Sequence, residues 1–96
     1  MATVNIGGRD FEVFKMDSPG GSGRMRAVAH AEAALQRSTH EDFWDRQAEL
    51  VKTYLLEDIP VEELHKILPA RCRDIVKQLQ AAAGMEAVSA GEPKSP

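Results

Sequence analysis

At 96 residues the chain is long enough for one domain, near the lower end of what builds a core without disulfide or metal staples. Its 28% charged and 43% apolar content are those of an ordinary soluble domain, and a net charge of −3 gives no general attraction to nucleic acid or anionic membranes. Cys72 is the single cysteine, which excludes an intramolecular disulfide, and no apolar run approaches the ~20 residues of a membrane-spanning helix.

The opening MATVNIGGRD has neither a basic start nor an apolar run, so no secretory signal is expected and a cytoplasmic setting fits. Residues 3–14, TVNIGGRDFEVF, alternate in the manner of a β-hairpin: Val4, Ile6, Phe11 and Val13 fall on one face, and Gly7-Gly8 supplies the positive φ of a tight turn. A two-residue loop pairs Val4 with Phe11; a four-residue loop pairs Ile6 with Phe11 and Val4 with Val13. Both registers bury the same four side chains. An isolated hairpin is marginal in water, so a helix must cover it.

Residues 18–23, SPGGSG, predict a flexible linker. The alanine-rich 24–37 segment predicts a helix whose stripe of Met25, Val28, Ala31 and Leu35 is thin and interrupted by Glu32, which makes it the least firmly docked. Residues 39–57 predict the central helix, with Trp44, Ala48, Val51 and Leu55 as its buried stripe. Phe43, Leu50 and Tyr54 widen the stripe enough to face two neighbours, and the spare arc is expected to cover the hairpin. Ser38 and Glu41 have capping-box spacing, and Glu41 and Asp42 suit the positive end of the helix dipole.

Pro60 opens a short helix over 61–68, with Leu64, Ile67 and Leu68 on one side; Pro69 ends it and opens the next, over 70–83. There Cys72, Ile75, Val76, Leu79 and Ala83 form the apolar stripe, with Arg73, Asp74, Lys77 and Gln80 facing away, and Gly84 is a natural stop. Residues 85–96 lack periodicity and bulk and predict a disordered tail. The expectation is a single globular domain over 1–84: α+β, mostly helical, with an N-terminal β-hairpin packed against a small bundle of three to four helices.

Chemistry is sparse. Gly20-Gly21-Ser22-Gly23-Arg24 has the spacing of neither a P-loop nor a dinucleotide fingerprint and reads as a linker. His30, His40 and His65 lack the paired spacing of zinc ligands. Cys72 with His65 is imaginable as nucleophile and base, but a thiol inside an apolar stripe behaves as a small hydrophobe. Glu41, Asp42, Asp45 and Glu49, like Glu62 and Glu63, are explained by helix ends and a solvated face. Trp44 and Tyr54 could anchor a partner, although their place on the apolar arc favours core packing. No catalytic, cofactor-binding or metal residue is expected, no cofactor, and no partner-binding residue is identifiable. The 61–83 segment could also pass for a helix-turn-helix with Arg71, Arg73 and Lys77 on DNA phosphates; it lacks an Asn or Gln flanked by arginines for base readout, and Arg71 flanks the buried stripe.

Taken together, TVNIGGRDFEV at 3–13, the tryptophan-bearing middle helix, IPVEEL at 59–64 and LPARCRDIVKQLQAAAG at 68–84 resemble small prophage proteins of tail-gene clusters, the tail-assembly chaperones of long-tailed bacteriophages. The resemblance runs to Gly84. It departs after the hairpin, where SPGGSG precedes an alanine-rich helix instead of an aromatic one. It implies a non-enzymatic protein that binds the tape-measure or tail-tube protein and keeps it soluble until the tube polymerises. Two open hairpin edges, or a first helix that swings away on its glycine linker, are the surfaces such a holdase would use. A small DNA-binding regulator using residues 61–83 is the alternative.

Overall fold

The computed structural model describes residues 2–85. Among them run β1 (Thr3–Ile6), β2 (Arg9–Glu12), α1 (Gly21–Gln36), α2 (Phe43–Tyr54), α3 (Val61–Ile67) and α4 (Arg73–Ala83). The architecture is the expected α+β one, an antiparallel hairpin followed by a helical bundle. No helix among the described residues is long and apolar enough to cross a membrane.

The hairpin takes the two-residue loop, with Val4 opposite Phe11 and Ile6 opposite Arg9. Gly7 and Gly8 have φ of 61° and 86°, as a type I′ turn demands. Gly7 is doubly required, since a Cβ there would lie 2.7 Å from the Cβ of Ile67 at the end of α3. Val4, Ile6, Phe11 and Val13 are all buried. Their cover differs from expectation: β1 packs on α4, and the hairpin reaches α2 mainly at its far end. There Val13 bridges Leu55, the Phe14 N–H donates to the Tyr54 carbonyl (3.1 Å), and the Leu56 N–H donates to the Glu12 carbonyl (3.0 Å). The rings of Phe14 and Tyr54 stack at 5.9 Å. The exit of β2 is therefore paired on both sides, which closes the outer edge of the hairpin at that end.

The linker expected over 18–23 is shorter than predicted. Ser18–Gly20 forms a turn, and Gly21, Ser22 and Gly23 are the first turn of α1. Gly20 supplies a left-handed φ of 87°. At Gly21 any Cβ would overlap the Met16 carbonyl, so the glycine lets the helix start hard against the preceding chain. The stripe of α1 is as read, with Val28 and Ala31 buried and Met25 and Leu35 packed on the core. The helix is nevertheless well docked on α2. Arg24 Nη1 donates to the Leu55 carbonyl (2.9 Å) near one end, and Arg46 Nη1 reaches the Ala34 carbonyl (2.8 Å) near the other.

The central helix begins at Phe43 instead of 39. The Ser38–Glu41 box does not form; its place is taken one residue on, where the Thr39 N–H donates to Asp42 Oδ1 and the Asp42 N–H donates to Thr39 Oγ1 (3.3 Å). On α2 the buried residues are Gln47, Ala48, Leu50, Val51 and Tyr54, with Leu55 buried at its end, so most of the predicted stripe holds. Trp44 does not: it is 46% exposed. It points to the same side as Ala48 and Val51 but sits in the first turn, one turn before the cover that buries them.

Leu64 anchors α3 in the core, with Ile67 and Leu68 packed beside it. Pro69 ends that helix but does not open the next, because α4 starts only at Arg73 with Cys72 as its N-cap. Gly84 caps α4 with a φ of 96°, as expected. Met85, assigned to the tail, packs against the core; the rest of the predicted tail, 86–96, lies outside the described residues.

Candidate functional site

The late start of α4 follows from a residue absent from the sequence reading. Gln47, 8% exposed, lies one turn beyond Trp44 on α2. Its Nε2 donates to the Ala70 carbonyl (3.2 Å), and its Oε1 accepts the Cys72 N–H (3.4 Å). One amide thus satisfies two backbone groups of the 70–72 connection, one at each end, and pins it to α2. The available signal was positional: Gln47 is four residues from Phe43 and from Val51, hence within the apolar arc.

That connection leaves an open groove of about 720 Å³ between the end of α1, the first half of α2 and the start of α4. Leu35, Phe43, Leu50, Cys72 and Val76 provide its apolar surface. Trp44 stands at the rim, its indole edge-on to the Phe43 ring at 5.6 Å and 88°. The turn bonded between Thr39 and Asp42 fixes the start of this helix, and Arg46 Nε on Asp42 Oδ2 (3.0 Å) braces it from within α2. The Thr39 backbone N–H, chief among its partners, holds the Asp42 carboxyl below its ordinary pKa.

The cations of the helix-turn-helix reading, Arg71, Arg73 and Lys77, line this groove together with Gln80. Arg73, Lys77 and Gln80 do not simply face away from the apolar stripe, as the helical wheel suggested; they flank Val76. Arg71, Arg73 and Lys77 make no salt bridge among the described residues.

The imagined catalytic pair is not assembled. Cys72 is buried, its thiol donates to the Pro69 carbonyl (3.3 Å), and burial pushes its pKa up, away from the thiolate a nucleophile needs. His65 instead bonds Asp45 Oδ1 through Nε2 at 2.8 Å, an exposed link between α3 and α2. His30 lies in a second groove of about 660 Å³, where α1 and α2 meet beside Ala27, Ala34 and Glu49. Among the described residues no group of three or more His, Cys, Asp or Glu side chains is placed to hold a metal ion. Tyr54, expected in the core, is fully buried there. Comparison with protein-family models, curated proteins and solved structures finds no match to the chain.

Proposed function

We propose that the protein is a non-enzymatic bacteriophage or prophage tail-morphogenesis factor: a tail-assembly chaperone that works in the host cytoplasm by holding the tape-measure or tail-tube protein. The resemblance of 3–13, 59–64 and 68–84 to that family supports the reading. The observation that carries it physically is Trp44, a large aromatic left half in water at the rim of an apolar groove. Exposed aromatics beside an apolar cleft are the usual anchors of protein–protein contacts, and a holdase must offer such a surface without unfolding. The groove serves this purpose with α1 still docked, so no helix has to swing away.

The test is coexpression with the tape-measure protein of the same gene cluster. The wild-type chain is expected to raise the soluble fraction of that protein, and Trp44→Ala to lose the effect while keeping its own helical content. An unchanged soluble fraction with the wild-type chain would reject the tail partner.

The grouping of Arg71, Arg73 and Lys77 at the start of α4 favours the regulator as the second reading. A gel-shift titration decides it: duplex binding that falls steeply with salt would replace the chaperone assignment.

A further inference from the structure

The lining of the Trp44 groove has a charge character unlike that of the whole chain. The chain carries more carboxylates than cations, 15 Asp and Glu against 12 Lys and Arg. Among the described residues the groove is nevertheless lined by Arg71, Arg73 and Lys77 and by no carboxylate. All three cations come from the α4 side, whereas α1 and α2 contribute the apolar Leu35, Phe43, Trp44 and Leu50, with the hydrogen-bonded Gln47 among them. An occupant that matches both features is apolar along its underside and acidic along one flank.

We infer that this groove binds an acidic amphipathic helix. The inference rests on the reading that the protein acts by protein–protein contact, and it is independent of whether the partner is a phage protein. The part of α4 that lines the groove, from Arg73 to Gln80, gives a bank about 12 Å long, which seats about two helical turns. The apolar anchors of the bound helix, at i, i+3 or i+4 and i+7, lie over Phe43, Leu50 and Val76. Carboxylates on its neighbouring face pair with Arg71, Arg73 and Lys77. Trp44 closes over the first anchor and loses its exposure to water. The absence of acidic groups from the lining repels no carboxylate and leaves cationic partners without a counter-charge, so the site selects by sign.

Trp44 is the only tryptophan in the chain, so its emission reports the groove without a label. The probes are two tryptophan-free peptides of about 14 residues with the same leucine face, one flanked by glutamates and one by lysines. Titrated into the full chain, the glutamate peptide is expected to shift Trp44 emission to shorter wavelength and to bind about tenfold more tightly than the lysine peptide, the discrimination that two or three partly exposed ion pairs supply. Added salt should narrow that gap. The exposed double variant Arg73→Glu/Lys77→Glu should reverse the preference while keeping the wild-type circular dichroism. Equal binding of both peptides, no spectral change with either, or an unreversed preference in the double variant would overturn the inference. So would a concentration-dependent shift in the protein alone, which would give the groove to a second copy, or a shift produced by duplex DNA and not by peptide. Failure of the coexpression assay with peptide selectivity intact would remove the tail partner only; the converse would remove the acidic helix only.

Discussion

Two buried polar side chains illustrate how differently burial can be accommodated. Gln47 has both ends of its amide engaged, whereas the Tyr54 hydroxyl has no hydrogen-bond partner among the described residues. Gln47→Ala strands the Ala70 carbonyl and the Cys72 N–H and is expected to cost about 1–3 kcal/mol, read from urea unfolding. Tyr54→Phe removes an unpaired group and should change stability at neutral pH by less than about 1 kcal/mol. The hydroxyl still leaves a signature. Burial raises its pKa above 10.0; the nearby Glu32 charge adds to the rise, and the Gln80 side chain, close but outside bonding geometry, partly opposes it. Below pH 10 the phenol is neutral in both the folded and unfolded chain and contributes no slope. Above it the unfolded chain loses the proton first, so wild-type stability should fall with rising pH until the folded phenol also ionises. Tyr54→Phe should lack that part of the decline; parallel curves for the two proteins would show that the folded phenol titrates normally. Side chains of this kind were only half legible in the sequence. Helical spacing placed Tyr54 correctly, but it misplaced Trp44, because periodicity gives the direction of a side chain and not whether another element extends far enough to cover it.

Among the elements, the hairpin, with its turn and alternation, was the most legible, and Gly84 marked the end of α4. Pro60 marked the start of α3, whereas the starts of α1, α2 and α4 were not legible, and for α1 and α4 the reason is tertiary. α1 starts three residues early because glycines written as a linker permit close approach to the Met16 carbonyl. α4 starts three residues late because Gln47 has claimed the backbone groups of the preceding turn. The groove was invisible for the same reason, being bounded by that delayed start. Docking of α1 was underestimated because its stripe is thin; the arginines that tie it act through main-chain carbonyls on other elements, which carry no sequence signal. Amide hydrogen exchange across 24–36 should accordingly match that of α2, and Gly21→Ala should speed it selectively while costing about 2 kcal/mol or more of stability. Fast exchange across this helix in the wild-type protein would revive the swinging element.

At the scale of the whole molecule, the hairpin and the bundle share one hydrophobic core, with Phe11, Tyr54, Leu64 and Leu79 buried in it. Fold class was readable from the sequence because patterning alone decides it. What the hairpin rests on was not, since both α2 and α4 offered a suitable face. The Met16 N–H donates to the Ala83 carbonyl (3.0 Å), so the chain just after the ribbon is fastened to the end of the last helix. Unfolding is therefore expected as one transition, with coincident midpoints from circular dichroism and from exchange of the β1–β2 amides. An earlier loss of the ribbon would separate it from the bundle.

The bridge between Val13 and Leu55 has a kinetic consequence. Making it closes a ring of chain that contains the whole of α1 and α2, so the ribbon's far end is secured only after both rods exist and have turned back on one another. Refolding should thus proceed with helical signal leading and the Val13–Leu55 contact locking last, at a rate set by that closure and slower than a bundle of the same length built from neighbouring contacts alone.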